Sequence, residues 1–415
     1  MTGPGRRNVV ILVVLVAVVA AVGVGAGFLL HERSDRARHT AASPGPTSAT
    51  PAGPGAGASP TPSRSPDLAA TLGLPRGGRV PAGFADVSVT TTAHGITYLL
   101  GYASCRTAPC TSVARYDGTH WVSVAAPEAA VTATQPSTRS DTVRDLRFGT
   151  PKDGWAYGGA LWSTHDGARR WRSVDAGGAV VDLAADDTTA YAVVSRCTGS
   201  SSTCRVKLRS TTVRGDVWRD VPGVAAAGSS GRLSLGPGTA AVSFPDSGIV
   251  YLRSGGTWRS ATVSCPDGSP GMVASPSSAR LFAFCAGPGA GNLDYTIRYS
   301  DDGRRWTVLP LGASHLRIPN GTFVSLTAAS STVLLAASGD PSLGGPVMVS
   351  RDSGRTWERA SGRDGLPDLD TSRSGGWRYV GASSSTRVVA LAAVPHRGYW
   401  VSHDTARTWQ RIVPG

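Results

Sequence analysis

At 415 residues the chain is long enough for two or three ordinary domains or for one large repeat domain. Its formal net charge of +13 is almost wholly arginine, since Lys152 and Lys207 are the only lysines. Glutamate is confined to Glu32, Glu128 and Glu358, which leaves little for hydrolase chemistry that needs a spare glutamate.

The amino terminus predicts a membrane segment. Residues 1–8 form a short cytoplasmic tail, and 9–30 carry no charge. As a helix, roughly 22 such residues span about 33 Å. The run is longer than the apolar region of a cleavable signal peptide. Arg6 and Arg7 precede it, while Glu32 and Asp35 offset part of the basic charge after it. By the positive-inside rule the amino terminus is cytoplasmic. The expectation is a single-pass signal-anchor in a bacterial cell membrane, with the rest of the chain extracytoplasmic. Residues 31–79 are dominated by Pro, Ala, Ser, Thr and Gly. They hold too few large apolar side chains to offset the entropy of ordering, so they predict a flexible linker.

All six cysteines follow the anchor, on the side where disulfides persist. Cys105/Cys110 and Cys197/Cys204 flank short polar turns between apolar runs, and Cys265/Cys285 closes a longer loop. Such local pairs suit a repeat whose units are each stapled. CxxC and HxxxH spacings are missing, so no metal site is expected, and no cofactor either.

Residues 80–415 are repetitive. "THDGARRW", "YSDDGRRW", "SRDSGRTW" and "SHDTARTW" end at Trp171, Trp306, Trp357 and Trp409. Weaker copies end at Trp121, Trp218 and Trp258, the last two without the Asp. Successive tryptophans recur about 40–52 residues apart, a blade-like period. Each unit reads as four short strands joined by turns rich in Gly, Asp and Pro. The second strand is nearly continuously apolar in most units, as in Tyr191–Val194 and Val388–Val394, which suits a strand buried on both faces. Seven such sheets predict an all-β, seven-bladed propeller of four-stranded antiparallel blades.

The recurring string resembles the Asp-box, or bacterial-neuraminidase repeat, of sialidases, sortilin-like receptors and photosystem II assembly-factor-like propellers. "LRFGTPKDGWAYGGALWSTHDGARRW" looks most like the assembly-factor and sortilin-like type. The resemblance covers roughly four-fifths of the chain and implies a fold more than a chemistry. It implies that the Asp caps the turn between the third and fourth strands while the Trp packs into the blade. The matching residues are Asp166 and Trp171; Asp301, Gly303 and Trp306; Ser350, Asp352, Gly354 and Trp357; and Ser402, Asp404 and Trp409. These turns are expected to be structural, on the face opposite the usual ligand face.

The sialidase branch implies a three-arginine cluster, a Tyr activated by Glu, and an Asp acid/base. Arg317, in "LRIP", has the matching place for one arginine. Leu316 replaces the aromatic residue there, however, and the string follows five repeats where the family has it ahead of the first. Glu358 directly follows a motif Trp and Glu32 sits beside the anchor, so only Glu128 remains as a Tyr partner. GxSxG, P-loop and HExxH motifs are missing, and no catalytic residue is assigned. His165 and His403 share a position in different repeats and are expected apart and solvated.

Two long loops between blades are the expected ligand face. One carries Glu128, Arg139, Asp141 and Arg144. The other carries Arg363, Asp364, Asp368, Asp370, Arg373, Trp377 and Arg378. Arginine beside an aromatic residue suits carboxylates, phosphates and sugar faces. The expected role is a ligand-binding or assembly module of the cell envelope, with an envelope protein or an acidic glycan or wall polymer as partner. Nucleic acid is not expected outside the membrane. The alternative is an exo-glycosidase of sialidase type.

Overall fold

The computed structural model describes residues 68–415, apart from 105–108, 117, 133–140, 198–203, 264, 266–270, 275–279, 287–292, 310–314, 319–323, 339–346, 361–365, 367–376 and 393–396. The expected tail, anchor and most of the linker lie outside the described residues. Among the described residues no helix is long and apolar enough to cross a membrane.

Seven antiparallel sheets follow one another along the chain, each hydrogen-bonded in the order of its strands. Blade 1 is Ala85–Thr91, Thr97–Ser104, Pro109–Tyr116 and Trp121–Val124. Blade 2 is Asp145–Phe148, Gly154–Tyr157, Leu161–Thr164 and Arg172–Ser173. Blade 3 is Ala179–Ala185, Thr189–Cys197, Cys204–Thr212 and Arg219–Ala227. Blade 4 is Arg232–Gly236, Thr239–Phe244, Ile249–Ser254 and Thr257–Ala261. Blade 5 is Gly271–Ala274, Leu281–Ala286, Leu293–Ser300 and Thr307–Val308, with an extra strand, His315–Ile318, paired to its third. Blade 6 is Val324–Ala328, Leu334–Ser338, Val347–Ser350 and Glu358–Arg359. Blade 7 is Trp377–Ala382, Val388–Ala392, Tyr399–Ser402 and Gln410–Ile412.

The apolar second strands lie where their composition demands. Every residue of Val388–Ala392 is buried, as is the stretch Ala190–Ser195. A strand flanked by sheets on both sides has no solvent face, so alternation disappears from its sequence.

From blade 1 to blade 7, the first strand of each sheet packs beside the first strand of the next, so these strands line the axis. Their side chains also catch the neighbouring backbone. Leu146 N donates to Ser88 Oγ at 3.1 Å, Val380 N to Ser325 Oγ at 3.0 Å, and Leu233 N to Asp182 Oδ2 at 2.7 Å. The ring closes by packing of Val89, Leu99 and Ala114 against Val389, Leu391 and Tyr399. Arg387 Nη2 donates to Thr97 Oγ1 at 3.1 Å across the same seam. Among the described residues, no strand from one end of the chain enters the sheet at the other.

Two boundaries differ from the sequence reading. The packed region includes residues 68–79, which had been assigned to the linker. Ala69 and Leu74 are buried against blades 1 and 2, and Pro75 O accepts a hydrogen bond from the buried Arg115 at 2.9 Å. Leu68 and Leu72 pack against the same cluster, and Gly78 and Ser123 exchange backbone hydrogen bonds at 2.9 and 2.8 Å, which seat this Pro- and Gly-containing segment.

The second difference lies in the turn between the third and fourth strands. Ser350 Oγ accepts from Gly354 N at 2.7 Å and donates to Asp352 Oδ1 at 2.9 Å. Asp352 also accepts from Thr356 N at 2.9 Å. Ser402 with Asp404, and Thr164 with Asp166, repeat the pattern. In blade 5 the residue so bonded is Asp302, not Asp301. It accepts from Ser300 Oγ at 3.0 Å and from Arg304 N and Arg305 N at 2.8 and 2.9 Å. The Ser-x-Asp spacing sets the carboxylate, and this turn reaches its Trp one residue sooner, so alignment on Trp306 picks the wrong acid. Asp301 instead pairs with Arg280 at 2.7 Å.

Disulfides join Cys197 to Cys204 and Cys265 to Cys285, both local. Cys110 is disulfide-bonded as well, and Cys105 lies outside the described residues.

Candidate functional site

Axis-lining strands are expected to be apolar or small, yet several here carry charge: "ADVSV", "DLRF", "VVDLAA" and "WRYVGA". In an antiparallel blade the first strand starts on the face opposite the turn between strands three and four. Charges near those starts therefore gather toward one end of the axis, away from the Ser-x-Asp turns. Three first strands slip register close to their start, between Asp86 and Ser88, Val180 and Asp182, and Trp377 and Tyr379. A bulge re-aims its side chain, and Arg378 occupies one.

The result is a cluster drawn from four blades. Arg144 donates from Nε at 2.7 Å and from Nη2 at 2.6 Å to Asp145 Oδ2. Their side chains are only 12% and 18% exposed. The Arg147 guanidinium reaches from blade 2 to blade 7, where it lies 5.4 Å from the Tyr379 ring centroid. Its single hydrogen bond among the described residues is from Nη1 to Leu146 O at 3.1 Å. The Tyr157 hydroxyl sits 3.3 Å from both Asp182 Oδ1 and Leu183 O. Asp86 Oδ1 accepts from Gly398 N at 2.6 Å, while its Oδ2 is buried without a partner.

Burial and charge sort these groups. Burial pushes the Asp145 carboxyl up, but Arg144, Arg378 and Arg147 together outweigh it and hold it below the usual carboxylate range. Burial raises Asp182 and Asp86 despite nearby arginines. The same desolvation lifts the Tyr157 hydroxyl well above its ordinary value. Arg378 is lowered by burial, with Asp145 and Asp86 working against the shift and Arg144 adding to it. Three guanidinium groups thus stabilise the Asp145 charge, and guanidinium forks match carboxylate and phosphate geometry.

The sequence-predicted ligand residues divide. Arg144 and Arg378, each placed in a different long loop, come together here. Glu128 is exposed, beyond the fourth strand of blade 1. Trp377 is 1% exposed and packs edge-on against Trp400, with centroids 5.1 Å apart, so it is core and not a ligand-facing ring. Arg317 lies on the extra strand of blade 5, opposite Asp294 of the third strand, which places its backbone away from the axis-lining first strands. Arg139, Arg363, Asp364, Asp368, Asp370 and Arg373 lie outside the described residues. Asp86, Asp145, Arg147, Tyr157, Asp182 and Tyr379 were missed. An isolated charge at the start of an otherwise apolar first strand is the signal that marks four of them.

His165 is not simply solvated. Nδ1 meets Asp153 Oδ1 at 2.9 Å and Nε2 meets Asp216 Oδ1 at 3.2 Å, joining blade 2 to the start of blade 3's last turn. Hydrogen bonds to these two carboxylates raise it to about 9. With both ring nitrogens engaged it cross-links and has no lone pair for general-base work. His403, at the equivalent position, is lowered by burial and by Arg387.

No family model matches the sequence, and no curated protein matches it. Among solved structures, a GH74 enzyme from Niastella koreensis is 12% identical, covering 79% of this chain and 65% of its own, with TM-score 0.39. YCF48 from Cyanidioschyzon merolae is 15% identical over 79% of this chain and 98% of its own, with TM-score 0.47. An acylaminoacyl peptidase from Pyrococcus horikoshii is 8% identical over 81% of this chain and 54% of its own, with TM-score 0.49. The chain therefore spans less than two thirds of the first and third of these structures.

Proposed function

We propose that this protein is a binding module of the bacterial cell envelope, an Asp-box propeller held at the membrane through residues 9–30 with its blades on the extracytoplasmic side. Its ligand is an anionic group, carboxylate or phosphate, on an envelope protein, glycan or wall polymer. The observation that carries this reading is the convergence of Arg144, Arg147 and Arg378 around Asp145 at one end of the axis. The Arg147 guanidinium is desolvated and makes one hydrogen bond among the described residues, and such a group gains most from a charged, planar acceptor. The Ser-x-Asp turns support the Asp-box assignment, since each uses its carboxylate on its own backbone.

A sialidase-type glycosidase is the second reading, favoured by three arginines beside two tyrosines. Against it, Tyr157 leans on Asp182, and its hydroxyl is harder to ionise than an ordinary tyrosine. A nucleophilic tyrosine needs the opposite shift. The test is titration of the full chain with polyphosphate and polyglutamate at two ionic strengths, beside a turnover assay on sialosides and other glycosides. Binding that fades with salt, and no turnover, is expected. Turnover, or binding indifferent to salt, would refute the proposal.

A further inference from the structure

A second site opens between blades 3 and 4, far along the ring from the seam between blades 7 and 1. In blades 5 and 6 the turn between strands three and four packs down on the preceding blade. A Cβ added at Gly303 would lie 3.0 Å from Leu252 Cδ1 of blade 4, and one at Gly354 3.0 Å from Ile297 Cδ1 of blade 5. Blade 4 lacks the Ser-x-Asp turn and has a bare Gly255-Gly256 hairpin. A Cβ at either glycine would meet nothing within 4 Å. That turn stands clear of blade 3, and the slot beneath it is uncovered. On the other side, the pairing of blade 3's third and last strands slips register, from Lys207 opposite Ala225 to Arg209 opposite Asp220, so that residues 221–224 of the last strand form a bulge. Together these irregularities leave a groove of about 380 Å³.

The lining has two characters. Trp258 and Tyr191 meet edge-on with centroids 5.5 Å apart, and Pro222 extends this apolar surface. Asp220 and Thr257 supply polar edges, with Asp220 already held by Lys207 at 2.8 Å and Arg209 at 2.9 Å. Arg253 lies over the Tyr191 ring at 5.9 Å and, among the described residues, makes no hydrogen bond or ion pair. It is a free guanidinium fork beside an aromatic floor. A purely apolar ligand would leave the Arg253 guanidinium unanswered, and a purely polar one would gain nothing from the rings. A pyranose ring offers a C–H face and equatorial hydroxyls, and a carboxylate on it would complete Arg253. We infer that this groove binds a carboxylate-bearing sugar ring of the uronate class, independently of the axial cluster.

The experiment is calorimetric titration of the full chain with a glucuronate-terminated trisaccharide, its glucose-terminated analogue and a glutamate-rich peptide. The uronate should bind saturably, with the neutral analogue at least tenfold weaker. Arg253→Gln, at a partly exposed position, should weaken uronate binding at least tenfold while leaving polyphosphate binding at the axis unchanged. Equal binding of the neutral sugar, indifference to Arg253→Gln, or an equal loss of polyphosphate binding in Arg253→Gln would overturn the inference. Preference for the peptide, with the same loss in Arg253→Gln, would make the groove a peptide site and overturn it too.

Discussion

Asp352 accepts a serine hydroxyl, a backbone N–H and a threonine hydroxyl within one turn. Burial raises its carboxyl, yet the Thr356 and Ser350 bonds outweigh that and hold it low. Asp352→Ala should cost about 1–3 kcal/mol by leaving donors unpaired, read by thermal unfolding, with polyanion binding unchanged below the transition. In the last blade the same turn runs through Thr405 at φ 66 and Ala406 at φ 63, where blade 6 has Ser353 and Gly354. A β-branched residue in the left-handed region is strained, and asparagine tolerates it better. Thr405→Asn should therefore raise stability by about 0.5–1 kcal/mol, and a lowered unfolding temperature would count against the strain. His165 offers a test by pH. Its folded value, about 9, exceeds the unfolded 6.5, so its contribution is complete below about pH 6.5 and is lost as pH rises through about 9. The stability gap between wild type and His165→Gln should be widest at and below about pH 6.5 and shrink as pH rises through about 9. A gap that grows with pH would contradict the double-carboxylate clamp.

At the scale of the strand, the second strands were legible because burial on both faces leaves an unbroken apolar run. The first strands were not, since they mix small, charged and apolar residues. Their side chains serve three ends: core packing, capture of the next blade's backbone, and the axial cluster. Asp182 illustrates the overlap, accepting Leu233 N across the blade boundary while it contacts the Tyr157 hydroxyl. The bulges that aim Arg378 and Asp182 depend on partner-strand register, which no local pattern encodes. Asp302 was hidden for a related reason, because turn length varies by one residue between blades. The Cys197–Cys204 bridge spans directly paired residues of a hairpin already held by nine registered pairs. Its loop is short, so replacing both cysteines with serine should cost only about 2 kcal/mol. Collapse of folding would mean the hairpin depends on the bond.

At the scale of the molecule, a seven-bladed ring closes by packing, and three of its arginines converge at one end of the axis. The seven units were readable from the Trp period together with the apolar second strands and the turn residues between them. The site was only half readable: Arg144 and Arg378 stood out in long loops, but nothing local joins Arg144, Asp145 and Arg147 to Arg378 and Tyr379. Those residues come from blades 2 and 7, and only ring closure brings them together. Polyphosphate titration of wild type, Arg147→Ala and Arg317→Ala tests this account most directly. Arg147→Ala should bind at least tenfold more weakly, a loss of about 1.4 kcal/mol, with its unfolding temperature nearly unchanged. Arg317→Ala should bind as wild type does. Undiminished binding by Arg147→Ala, or a loss confined to Arg317→Ala, would contradict the axial site.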